Sequence, residues 1–217
     1  MKVKIDSFAT IKHVDSGTLP QFEDVLWEWI NVVDRCTRSW VWEDVPWWYN
    51  ERASVGIFAG AVWRSGGIAL EEFSSAKLWT ASEGDAAEER YAGRCDLYFK
   101  LGKEEFSAEA KQLWPAAGKR APNPVAEIQD SLTKALWEVR ANRAEPGEQQ
   151  LALVFASPII NVSFKNDLDD LIHKWTNAVQ NVKCAASAWN FPGEVRSQCI
   201  SRGRFYPGAA LFIERAL

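Results

Sequence analysis

Hydrophobic positions in this chain switch between two periods, and the switches outline its elements. Over residues 21–33, Phe22, Val25, Leu26, Trp29, Ile30 and Val33 recur at helical spacing, which predicts an amphipathic helix. Residues 35–49 carry Trp40, Trp42, Trp47 and Trp48 around Pro46 and follow neither period, so no element is assigned there. A second helix is expected from about Asn50 to Gly66-Gly67, with Glu51, Val55, Phe58 and Val62 on one stripe. Residues 75–80 fit a short strand and 81–89 an acidic loop, while 91–101 and 104–113 alternate with the period of strands around Gly102-Lys103. Asn123 followed by Pro124 is an N-cap and first helical residue, opening a helix with Val125, Ile128, Leu132, Leu136 and Val139 on one face. Residues 151–156 read as a buried strand, Asn166 as the cap of a helix bearing Leu168, Leu171, Ile172, Trp175 and Val179, and 208–214 as a last strand.

This order of helix, three strands, helix, strand, helix and strand predicts an α/β fold, a mixed central sheet flanked by helices. The 217 residues suit a single domain. Within it, 50–157 would be the core, 1–49 a Trp-rich N-terminal elaboration, and 158–217 a C-terminal helix and strand.

The hairpin carries the candidate chemistry. Cys95, Leu97, Phe99 and Leu101 share one face of its first strand and Phe106, Ala108 and Ala110 one face of its second. The opposite face then holds Asp96, Tyr98, Lys100, Glu105, Ser107, Glu109 and Lys111. If Gly102-Lys103 is a two-residue type II′ loop, Leu101 faces Glu104, and counting outward puts Asp96 opposite Glu109. Opposed carboxylates, with Cβ atoms about 5 Å apart, require a cation or a shared proton. Lys111 lies two residues along on the same face, in reach of a nucleophilic water. Glu51 heads the core-facing stripe of its helix, where an unpaired charge is costly, and is expected to turn toward the same site.

A helix with a glutamate, a strand with an aspartate and a strand reading Glu-x-Lys resemble the PD-(D/E)XK (restriction-endonuclease-like) nuclease superfamily. The matching pieces are Glu51, Gly93-Arg94-Cys95-Asp96 and Glu109-Ala110-Lys111-Gln112, within an αβββαβ order over roughly 50–157. Arg94-Cys95 precedes the aspartate where the family name has proline. The resemblance implies a nuclease that hydrolyses phosphodiester bonds in DNA. Asp96, Glu109 and the Ala110 carbonyl would bind Mg²⁺ or Mn²⁺, Lys111 would position the attacking water, and Glu51 would assist. Lys119 and Arg120 are candidate phosphate contacts, and Gln129 is a candidate polar helper on the following helix. Gln112 is expected to face the apolar side and to support the site from behind or simply to end the strand.

Composition narrows the alternatives. With 47% hydrophobic and 25% charged residues the chain has the material for a packed core. No apolar run approaches the ~20 residues of a membrane span, and the first residues lack an apolar signal core, so a cytoplasmic protein is expected. The four cysteines form no C-x-x-C pair, which argues against structural zinc. A net charge of −4 argues against indiscriminate coating of nucleic acid, but residues 111–143 carry six bases against three acids. Six of the twelve tryptophans lie between Trp27 and Trp48. That cluster supports a rival expectation, a non-catalytic module that keeps this scaffold and binds a protein through its Trp-rich third. A homodimer is a further expectation, since cutting both strands of a duplex favours two sites.

Overall fold

The computed structural model describes residues 9–79, 89–142 and 144–216. The expected acidic loop at 81–89 lies outside these apart from Glu89. The chain runs through β1 (Ile11–Asp15), α1 (Glu23–Ser39), α2 (Glu51–Arg64), β2 (Ile68–Trp79), β3 (Glu89–Leu101), β4 (Glu104–Leu113) and α3 (Pro124–Ala141). It continues through β5 (Glu148–Ala156), β6 (Ile160–Asn161), α4 (Leu168–Val179), β7 (Ala186–Phe191), β8 (Ile200–Ser201), β9 (Arg204–Phe205) and β10 (Ala209–Arg215). Seven strands form one mixed sheet in the order β1-β7-β10-β5-β4-β3-β2, in which β4 and β5 pair in parallel across the α3 connection. The expected α/β class and the αβββαβ order, here α2-β2-β3-β4-α3-β5, are both present. The segments expected as elaborations supply β1, β7 and β10, which continue the same sheet.

Helices cover both faces. On one face, α1 and α2 pack Val25, Leu26, Trp29, Ile30, Val55, Phe58 and Val62 onto Leu97, Phe99, Phe106, Ala108, Leu151 and Leu211. On the other, α3 and α4 pack Ile128, Leu132, Leu171, Ile172 and Trp175 onto Ala152, Val154, Ala210 and Phe212. Phe99 is fully buried, stacked on Phe106 at 4.9 Å and met edge-on by Phe22 and Phe58.

Local chemistry sets the boundaries that position the site. Asn50 Oδ1 accepts the Ala53 amide at 3.0 Å and opens α2; Asn123 Oδ1 accepts the Val125 amide at 3.1 Å and opens α3. Gly102 has φ +60° while Lys103 is not left-handed, the combination of a type II′ turn. The β3–β4 ladder accordingly pairs Leu101 with Glu104 and runs in that register to Leu97 with Ala108. Two expectations are corrected. The helix of Leu168 is not capped by Asn166, because a 3₁₀ turn over Val162–Asp167 precedes it and Asn161 caps that turn. The strand expected at 75–80 begins much earlier, at Ile68. Among the described residues no helix is long and apolar enough to cross a membrane.

Candidate active site at the divergence of two strands

Beyond the Leu97–Ala108 pair, β3 and β4 part. β3 continues along β2, while β4 continues along β5 from Glu109–Ala152 to Leu113–Ala156. The parting leaves main-chain groups of β4 without a strand to meet, and side chains take them up. The Cys95 thiol donates to the Ala108 carbonyl at 3.4 Å and the Ala110 amide donates to Asp96 Oδ2 at 2.8 Å, while the Gln112 main-chain amide lies near enough to the Glu51 carboxyl to lower its pKa. Amide and carbonyl of one strand residue point the same way, so the Ala110 carbonyl opens toward the gap that holds Asp96.

Glu51 reaches this place because α2 begins there. The Ser54 hydroxyl, one turn on, donates to Gln112 Oε1 at 2.5 Å and ties the helix start to β4. Gln112 therefore faces the α2 side and supports it. Burial pushes the Glu51 carboxyl above its ordinary pKa; the Lys111 charge opposes that, and Asp96 and Glu138 add to it. Glu51, Asp96, Lys111 and Glu138 thus share one electrostatic neighbourhood. Glu51 and Asp96 also line one crevice with Arg52, Val55, Glu71 and Glu72. Glu72 has φ +52°, and its carboxylate pairs with Arg52 of α2 and with Arg94.

On the other side of the sheet Lys111 Nζ lies 2.5 Å from Glu138 Oε2 of α3. Burial works against the Lys111 charge, but the Glu138 hydrogen bond and the charges of Glu138, Glu51 and Asp96 outweigh it and raise its pKa. Glu109 is 3% exposed, and its Oε1 accepts the Asn142 amide at 2.7 Å, just past the end of α3. Burial, followed by the charges of Glu109 and Asp96, pushes the Cys95 thiol up to about 12, so it is an inert hydrogen-bond donor.

The two residues that hold Lys111 and Glu109, Glu138 and Asn142, were missed in the sequence. Glu138 could have been found as an acid flanking the α3 stripe, whereas Asn142 lies past the helix and gave no periodic signal. Among the predicted substrate contacts, Lys119 and Arg120 are exposed beyond the end of β4, and Lys119 pairs with Asp167 at 3.0 Å. Gln129 is not brought to the site. Its amide exchanges hydrogen bonds with the Lys183 main chain, and it lies about 13 Å along α3 from Glu138 at the helical rise.

A divalent cation fits this donor set by type, since Asp96, Glu109 and the Ala110 carbonyl are hard oxygens with Glu51 beside them. Asn142 Oδ1, next to Glu109, is buried and has no hydrogen-bond partner among the described residues, so it is an acceptor a water or a cation could use. Among the described residues, no three His, Cys, Asp or Glu side chains are already gathered as an ion would hold them. Asp96 and Glu109 instead rest on protein donors. No family model, curated protein or solved structure matches this chain, so its own side chains are the ground on which a function is read.

Proposed function

We propose that the chain is a metal-dependent nuclease that hydrolyses phosphodiester bonds, with DNA as its substrate. The observation that carries this reading is the convergence of Glu51, Asp96 and Lys111, from three separate elements, where β3 and β4 part beside the buried Glu109. Asp96, Glu109 and the Ala110 carbonyl would hold Mg²⁺ or Mn²⁺, which would lower the pKa of a bound water and offset charge on the scissile phosphate. Lys111, a cation flanked by carboxylates, donates hydrogen bonds that aim the attacking water and stabilise the developing negative charge. Glu51, at the start of α2, orients that water or a second one. Glu138 fixes the Lys111 amine, and Asn142 fixes Glu109. The test is incubation of the pure protein with single- and double-stranded DNA and RNA in Mg²⁺ or Mn²⁺, with Asp96→Asn as control. Metal-dependent cleavage that disappears in the variant supports the reading; absence of cleavage across the panel removes it.

A second reading has its own observation. Asp96 and Glu109 are both satisfied by protein donors, as they would be in a binding module that keeps the scaffold without the chemistry. The readings part on metal: a nuclease site gains thermal stability from Mn²⁺ and loses the gain in Asp96→Asn, whereas a binding module is indifferent.

A further inference from the structure

Two exposed rings flank the site, one just before α2 and one just after β4. Tyr49 lies two residues before Glu51 and is 52% exposed; Trp114 lies three residues after Lys111 and is 37% exposed. Both are pinned by their polar ends. The Trp114 indole N–H donates to the Trp47 carbonyl at 2.9 Å, and the Tyr49 hydroxyl donates to Asp44 at 2.6 Å. The Gln112 side chain approaches the same Trp47 carbonyl at 3.4 Å, so this carbonyl joins the aromatic turn to the strand of Lys111. Trp48 backs Tyr49 edge-on at 6.0 Å and Tyr206 backs Trp48 in the same way. An aromatic residue ordinarily buries its body and wets its polar tip. Here the tips are spent on the protein and ring surface is left to solvent. Trp27, Trp63 and Trp137 within helices and Trp40 just past the end of α1 are exposed as well, as single apolar side chains ordinarily are.

The charges around the site favour one kind of partner. Duplex binding is led by cations on phosphates, yet Arg52, Lys111 and Lys119 are already paired with Glu72, Glu138 and Asp167, and Asp44, Glu51 and Asp96 add negative charge. Base stacking requires no net charge, and every base offers a face.

We infer that the site takes an unpaired DNA strand whose bases stack on Tyr49 and Trp114, placing the adjoining phosphate at Lys111. This rests on the nuclease reading for its chemistry but not for its binding test. That test is fluorescence anisotropy in EDTA with labelled oligothymidylate of about a dozen nucleotides, oligouridylate and a duplex of equal length. The strand should bind more tightly than the duplex. Trp114→Leu and Tyr49→Leu should each weaken strand binding about ten-fold, and Trp114→Phe and Tyr49→Phe, which keep a ring, should restore most of it. Melting curves and circular dichroism confirm that each variant is folded; a Leu variant that fails to fold leaves the decision to Phe rescue and to the strand-to-duplex ratio of the wild type. Leu variants that bind like wild type, preference for the duplex, or no binding to any strand overturn the inference. Tighter binding of oligouridylate than of oligothymidylate overturns the choice of DNA. Metal-dependent cleavage that ignores both rings overturns the stacking surface and leaves the nuclease reading intact. Ring-dependent binding without any cleavage does the reverse.

Discussion

Under the proposed nuclease reading, replacing Lys111 by alanine should separate catalysis from cation binding. The Lys111 amine is 2.5 Å from Glu138, and its side chain and that of Glu138 are 26% and 35% exposed. At that exposure the pair is partly screened, and its loss costs the fold about 1 kcal/mol. A chain of this size should then melt roughly 2–4 °C lower in EDTA. Added Mn²⁺ should act in the opposite sense. Without Lys111, the carboxylates of Glu51, Asp96 and Glu138 lose a positive neighbour, so the variant's gain in melting temperature should equal or exceed that of the wild type. Turnover should fall by about 10²-fold or more, the scale for losing a group that aims water and offsets transition-state charge. The assay is cleavage of labelled DNA at saturating Mn²⁺, with thermal melts of both proteins across a Mn²⁺ titration. A variant that cleaves as fast as wild type refutes the role given to Lys111. A variant that loses Mn²⁺ stabilisation together with turnover refutes the separation of roles, since Lys111 would then be shaping the site.

Three further outcomes follow from specific contacts. Glu109→Gln keeps an acceptor for Asn142 but removes a carboxylate oxygen from the proposed ligand set, so Mn²⁺ stabilisation of the melting temperature should weaken; a variant that Mn²⁺ stabilises as strongly as the wild type would count against this account. Gly67→Ala should lose about 1–3 kcal/mol in urea unfolding, because a Cβ there would lie 2.6 Å from the Lys100 carbonyl and 2.8 Å from Val62, whereas Gly102→Ala, in open space at φ +60°, should lose only about 1 kcal/mol. Burial against Trp189 lowers the His13 pKa, with the Asp15 charge opposing, so the folded chain binds this proton more weakly than the unfolded one. Its contribution is complete above the free-imidazole value of 6.5 and is lost as pH falls through the lower folded value; His13→Phe should flatten part of the decline in melting temperature between about pH 8 and 5, and an unchanged slope would refute it.

What could be read in the sequence was local. Asn50, Asn123 and Gly102 are residues whose own hydrogen bonding or backbone freedom fixes a boundary, and the alternation about Gly102 carried the hairpin register out to Leu97 and Ala108. The unread parts depend on partners distant in sequence. β7 is buried along its whole length, so its side chains do not alternate between apolar and polar, and β1 is a short edge strand with a weak apolar pattern. β1 lies far along the chain from β7, the strand it pairs with. At the site, the register counted from the turn holds as far as Leu97 and Ala108, and the pairing of Asp96 with Glu109 expected one step further is not formed. Opposition suggested that they would face each other across a cation; the parting of the strands sends Asp96 to the Ala110 amide and Glu109 to Asn142.

That parting gives the protein a reporter of its own. The amide hydrogen of Ala110 is held by the Asp96 carboxylate instead of by a strand carbonyl, so its environment is set by the group proposed to hold an ion. In a ¹⁵N-labelled sample its resonance should move with each increment of Mg²⁺, while the amides of Phe99 and Phe106, locked in the regular ladder, stay still. The occupancy of the gap between β3 and β4 can in this way be followed in the wild-type chain, without substrate and without altering a side chain.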